Sequence, residues 1–128
     1  MDYTYDGGLL QKLKRSASRN GINLSQTYQI NSDVFGNMTS LQVGNRTLAS
    51  YEYNGDFLLT RLNYGNGQAV NYTYDELERL KTVAYPDGRT VTYRYTGDGN
   101  LHSTEESGGD SEVSRTYQYD SYGRMVSL

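Results

Sequence analysis

A pair of tyrosines closed by an acidic residue, Tyr-x-Tyr-Asp, returns along this chain at near-regular intervals, and that recurrence leaves few folds open to it. With the acidic position as anchor, the copies fall at Asp6, Asp33, Asn54, Asp75, Thr96 and Asp120, separated by 27, 21, 21, 21 and 24 residues. Three places and one place before the anchors stand Tyr3/Tyr5, Ile30/Ser32, Tyr51/Tyr53, Tyr72/Tyr74, Tyr93/Tyr95 and Tyr117/Tyr119, which take ten of the 14 tyrosines. Five places after the anchor come Met38, Leu59, Leu80, Leu101 and Met125, and eight places after it Leu41, Leu62, Val83, Thr104 and Leu128. The first copy is one residue short, so Leu10 fills the earlier slot. Self-similarity at such a period marks an architecture built from stacked supersecondary units.

Within each unit the apolar pattern has period two. Val91, Tyr93 and Tyr95 alternate with Thr92 and Arg94, and Val113, Arg115, Tyr117 and Tyr119 alternate with Ser114, Thr116 and Gln118. Ile22, Leu24, Tyr28 and Ile30 do the same, with Gln26 as the exception. Period two places one set of side chains on each face of a strand. Two turn signals per unit then make two strands joined by hairpins. One is the anchor turn, as in Asp120-Ser121-Tyr122-Gly123-Arg124-Met125; the other is Asn20-Gly21, Gly44-Asn45, Asn66-Gly67, Pro86-Asp87-Gly88 or Gly108-Gly109. Pro86-Asp87-Gly88 suits a type I turn with Gly88 left-handed, forming a bulge. An anchor Asp can accept backbone N–H groups two residues on. The fourth copy has Glu78 where Gly is expected, which leaves room for that turn to differ in detail. The apolar slots five and eight places on are three apart, which is no strand period; a bulge, or use of both faces, reconciles them. Leu9–Ser18 fits a weak helix as well, but the repeat register favours a strand.

Composition says how such hairpins can cohere. The 128 residues are only 35% hydrophobic, with mean hydropathy −0.79, which is poor for a large buried core. Fourteen Tyr and 14 Gly nonetheless supply strands and turns. Six units give roughly twelve strands at about 4.8 Å spacing, a sheet on the order of 55 Å across, and open sheets beyond about ten strands usually curl. The expected fold is therefore all-β: consecutive antiparallel β-hairpins forming one long curled sheet, with cross-strand tyrosine ladders in place of a second layer. Residues 1–128 are read as six tandem units with no separate second domain. The chain begins inside one unit and stops inside another, so it is expected to be a fragment. Its unpaired edges should make the isolated chain associate or unfold with poor cooperativity.

Tyr85-Pro86-Asp87-Gly88-Arg89-Thr90-Val91-Thr92-Tyr93-Arg94-Tyr95, joined to the Tyr-Asp-x-x-Gly-Arg units, closely resembles the YD repeat, also called the RHS repeat. The resemblance covers essentially the whole chain. It implies a segment of a hollow YD-repeat shell, as in bacterial polymorphic toxins, where the shell surrounds a C-terminal toxin domain, and more distantly in the adhesion shells of teneurins. The implied partners are neighbouring repeats of the same parent chain and an enclosed toxin or effector absent from this sequence. The implied location is secreted or cell-surface.

Chemistry-bearing residues point the same way. Asp6, Asp75 and Asp120 recur with the turn, so they read as turn formers and not as acid/base pairs. Tyr3, Tyr5, Tyr51, Tyr53, Tyr72, Tyr74, Tyr93, Tyr95, Tyr117 and Tyr119, with Pro86, Asp87, Gly88, Gly123 and Arg124, complete the set taken as repeat-defining and structural. His102 is the one histidine and there is no Cys, so no metal site, cofactor or catalytic residue is expected and the chain is not read as an enzyme. A net charge of −3 and a pI near 5.0 give no footprint for nucleic acid, and no apolar run suits membrane insertion. The competing reading is adhesion or carbohydrate binding, with tyrosine rings stacked on sugars; Tyr64 and Tyr122 lie outside the paired slots and are best placed for it. Asn23, Asn37, Asn45 and Asn71 begin glycosylation patterns that matter in a eukaryotic secretory setting; the style of the repeat favours a bacterial one, without glycans.

Overall fold

The computed structural model describes residues 1–110 and 112–127, so Leu128, the last of the apolar slots, lies outside the described residues. Among the described residues thirteen strands and no helix are formed: β1 (Asp2–Asp6), β2 (Leu9–Arg19), β3 (Ile22–Ser32), β4 (Met38–Val43), β5 (Arg46–Tyr53), β6 (Leu59–Tyr64), β7 (Ala69–Tyr74), β8 (Leu80–Ala84), β9 (Thr90–Tyr95), β10 (Leu101–Ser107), β11 (Val113–Thr116), β12 (Gln118–Tyr119) and β13 (Met125–Ser127). The expected twelve become thirteen because the strand after Glu112 breaks at Tyr117, whose N–H donates to the His102 carbonyl (2.8 Å). Leu9–Ser18 is strand, as its register requires.

The chain forms two compact units, residues 1–68 and 69–128. In the first, β1 to β6 lie side by side in chain order, each antiparallel to the next. In the second, β7 to β11 do likewise, and β12 pairs with β13. Each hairpin is local, so the topology follows from turn chemistry alone.

A bulge sits at the same place in all six copies. Tyr53 faces Leu59 and Glu52 faces Arg61, so Thr60 is the extra residue. Gln11, Thr39, Lys81, His102 and Val126 are its equivalents. That one residue absorbs the awkward spacing of three: Leu59 lies opposite Tyr53, Leu62 lies opposite Tyr51, and both share the tyrosine face.

The same register corrects the expectation of tyrosine ladders. The direct partners of the paired tyrosines are mostly aliphatic: Leu62 and Leu59 for Tyr51 and Tyr53, Val83 and Leu80 for Tyr72 and Tyr74, Leu101 for Tyr95. Thr104 faces Tyr93. A shift of one bulge decides which residue a ring meets, and the tyrosine–tyrosine rung loses to tyrosine–leucine. Among the described residues only Ala49, Val70 and Val83 are buried, as expected of sheets with no second layer to cover them.

The anchor turn has one geometry with two kinds of fourth residue. The anchor N–H bonds the carbonyl four residues on, and the N–H three residues on bonds the anchor carbonyl, for example Asp120 to Arg124 (2.9 Å) and Gly123 to Asp120 (3.0 Å). The fourth residue is left-handed, at φ 89° in Gly36, 87° in Gly99 and 76° in Gly123. Glu78 keeps the same turn and differs only in placing a non-glycine residue left-handed: its φ is 60°, and its bond to Asp75 is 3.0 Å. An L-residue held left-handed costs about 1–2 kcal/mol, against the smaller entropic cost of Gly. Glu78→Gly should therefore raise stability by roughly 0.5–1 kcal/mol, read as a higher urea midpoint. A lowered midpoint would mean that the Glu side chain carries weight its exposure does not suggest.

Candidate functional site

The anchor Asp and the residue four places on meet at the anchor turn. In Asp75 one carboxylate oxygen, Oδ1, accepts the N–H groups of Leu77 (2.9 Å) and Arg79 (3.0 Å), while Oδ2 accepts Nε of Arg79 (2.8 Å). Asp120 repeats this with Tyr122 and Arg124 at 2.9, 2.9 and 2.7 Å, and Asp33 with Phe35 and Asn37, using the Asn37 side-chain amide in place of a guanidinium. The Asp-x-x-Gly-Arg pattern is thus one hydrogen-bonded object: the carboxylate holds the turn backbone with one oxygen and the Arg with the other. Asn54 keeps both backbone bonds through its amide oxygen, and Thr96 keeps one, from Asn100 at 3.1 Å. Asp6 departs from the scheme. Its hairpin is a two-residue turn through Gly7 and Gly8, both at positive φ, which fits a type I′ turn too short for the carboxylate to bridge.

The second tyrosine of three pairs does something the spacing does not announce. Tyr53 donates its hydroxyl to the Met38 carbonyl (2.8 Å), Tyr95 to Leu80 (2.7 Å) and Tyr119 to Leu101 (2.7 Å). Each acceptor opens the bulge of the preceding repeat. On the side facing the next strand the ladder starts only at Ser40, Thr82 or Ser103, two residues later. The bulge takes a carbonyl out of the ladder, and the following repeat's tyrosine supplies its donor. The Arg79 guanidinium also lies 4.4 Å from the centre of the Tyr95 ring, joining carboxylate, guanidinium and aromatic ring from one repeat to the next.

Pro86-Asp87-Gly88 forms the expected turn. Gly88 is left-handed at φ 90° and bonds the Tyr85 carbonyl at 3.1 Å, and Asp87 holds both the N–H and Nε of Arg89 (3.0 and 2.7 Å). Tyr3 and Tyr5 lie exposed on β1, whereas Tyr51, Tyr72, Tyr74, Tyr93 and Tyr117 are half-buried. His102 is exposed at its bulge, and among the described residues no three His, Cys, Asp or Glu groups gather as a metal site would require.

These contacts set the charge states. The Arg79 N–H holds the Asp75 carboxyl below its ordinary 3.8; the Arg124 N–H does so for Asp120, the Arg89 N–H for Asp87 and the Asn37 amide for Asp33. Burial pushes the Tyr53, Tyr93 and Tyr95 hydroxyls above their ordinary 10.0. Carboxyls depressed on folding contribute fully above the unfolded value and lose that contribution as pH falls through the folded ones; raised phenols contribute fully below theirs and lose it as pH rises. Stability should therefore be flat near neutrality, fall below about pH 4 and fall again above about pH 10. Urea midpoints across pH check this, with Asp75→Asn blunting the acid limb; a midpoint unchanged on acidification would refute the turn's dependence on ionised Asp.

The solved structures similar to this chain include the crystal structures of TcdB2-TccC3-Cdc42 (TM-score 0.74, 20% identity) and TcdB2-TccC3 (0.73, 20%). A third is TcdB2-TccC3 without its hypervariable C-terminal region (TM-score 0.72, 20% identity). Each match covers 96% of this chain, but the chain spans only 6–7% of the length of those proteins. At that identity the likeness is one of fold. No curated protein matches the chain. The model of the teneurin YD-shell matches residues 1–106, a span that holds the Asp33, Asp75 and Asp87 turns, five of the six bulges and the hydroxyl bonds of Tyr53 and Tyr95: the chain belongs to the teneurin YD-shell family.

Proposed function

We propose that this chain is a wall segment of a large secreted or surface-displayed shell that encloses a C-terminal toxin or effector domain lying outside this sequence. The observation that carries the reading is the way three of the repeats are completed by the next. At Met38, Leu80 and Leu101 a bulge removes a carbonyl from the ladder, and the following repeat's tyrosine restores its partner. A module built this way gains cohesion by lateral continuation and hardly at all from a core of its own, as only three side chains are buried among the described residues. One solved relative is described without a hypervariable C-terminal region, which fits a shell with a variable occupant. The role of the segment is structural, and its partners are the flanking repeats and the occupant.

Limited proteolysis of the parent protein tests this. The segment that follows the repeats should resist cleavage in the intact protein and become sensitive when residues 69–128 are deleted. Equal sensitivity in both would end the reading. A second reading, adhesion through carbohydrate stacking, rests on Tyr122, which is 83% exposed with Arg124 beside its ring. Retention on a polysaccharide column, lost in Tyr122→Ala and in Tyr64→Ala, would favour it.

A further inference from the structure

Among the described residues the hairpin β2–β3 is longer than any other, and its outer half has no neighbouring strand. Both strands have 11 residues. β1 pairs with β2 only as far as Lys14, and β4 pairs with β3 only from Tyr28 onward. Residues Arg15–Gln26 therefore project as a two-stranded ribbon, closed by Asn20 and Gly21, both at positive φ. Its register pairs Arg15 with Gln26, Ala17 with Leu24 and Arg19 with Ile22 on one face. That face places two arginines around an apolar patch, with Ile22 and Leu24 64% and 69% exposed.

Charge sets the hairpin apart. Between Asp6 and Asp33 it carries Lys12, Lys14, Arg15 and Arg19 and no acidic residue, so the remainder of the chain holds 8 basic and 15 acidic groups. All four cations are exposed, and among the described residues none is in an ion pair. The second unit has the opposite surplus: on the β7–β8 and β9–β10 turns, at one end of its strands, Glu76, Glu78 and Asp98 are exposed and, among the described residues, also without an ion pair.

We infer that the ribbon is a docking arm, and that its partner is the acidic turn surface of a second copy of this repeat block. One chain carries both complementary surfaces, so the contact is head-to-tail, the arrangement that adds blocks in series. Leu24 and Ile22 supply the apolar centre and Arg15 and Arg19 the charged frame. Nothing in this needs an enclosed domain, so it stands apart from the proposed function.

Sedimentation velocity of the full chain at about 100 μM, in roughly 50 mM and 500 mM salt, tests the inference. The chain should associate at low salt and about tenfold more weakly at high salt. Arg15→Glu with Arg19→Glu should abolish association without changing the far-UV CD, and so should Glu76→Lys with Asp98→Lys. An equimolar mixture of the two double variants should associate again, because each retains the surface the other lacks. Leu24→Ser should weaken the complex. A monomer at both salts would overturn the inference. So would association indifferent to salt and to the arginines, which is open-edge strand pairing, or an arm that holds anionic vesicles or DNA and ignores its own copies.

Discussion

Gly108→Ala is expected to destabilise the second unit by roughly 3 kcal/mol, about twice the cost of Gly99→Ala. The two glycines have almost the same backbone, at φ 83° and 87°, so both substitutions incur the left-handed penalty of about 1–2 kcal/mol. What differs is the space around them. A methyl at Gly99 meets nothing within 4 Å, whereas one at Gly108 would lie 2.3 Å from the Gly88 carbonyl oxygen. Backbone is a poor thing to displace, and forcing atoms into a packed contact costs about 1–3 kcal/mol more. Urea titration of both variants, at concentrations where the chain is monomeric, isolates the difference. Equal midpoints would mean that the approach of these two turns is incidental to stability.

That contact shows where the sequence stops being informative. The hairpins were legible because each is closed by residues a few places apart: Asp120 with Arg124, Asn20 with Gly21, Pro86 with Gly88. The bulge was half-legible, since a spacing of three between apolar slots is impossible in a regular strand, though it does not say which residue is extra. The identity of the rungs was not legible, because a ring's partner changes with every inserted residue, and Leu59 took the place opposite Tyr53. The hydroxyl bond from Tyr95 to Leu80 spans 15 residues and depends on a bulge in another repeat, so no local pattern signals it. The projecting ribbon had a signal: the 27-residue spacing from Asp6 to Asp33 exceeds the common 21 by six. Those residues lengthened two strands beyond their neighbours. The approach of Gly65 to the Thr47 carbonyl, where a methyl would lie 2.3 Å away, had no signal, since nothing about Gly65 in its turn sets it apart from a flexible residue.

Removing the Tyr95 side chain should cost about 3 kcal/mol as Tyr95→Ala and about 1 kcal/mol as Tyr95→Phe. The smaller figure is the hydroxyl alone. Phe keeps the ring against Leu101 and under the Arg79 guanidinium but leaves the Leu80 carbonyl without its donor, and a neutral hydrogen bond is worth about 0.5–1.5 kcal/mol net. The larger figure adds the loss of a half-buried ring and of its cation contact, below the full range for a core aromatic because Tyr95 is only partly covered. Two controls bracket the argument. Tyr119→Phe should match Tyr95→Phe, since it deletes the same bond to Leu101 at the same 2.7 Å. Tyr122→Phe should change nothing, since that ring is 83% exposed. Tyr95→Phe should also lose part of the alkaline limb of the stability profile, because its hydroxyl is one of those raised by burial. A Tyr95→Phe variant as stable as the parent chain would mean that water serves the bulge carbonyl equally well, and repeats would then be joined by their ladders and packing alone.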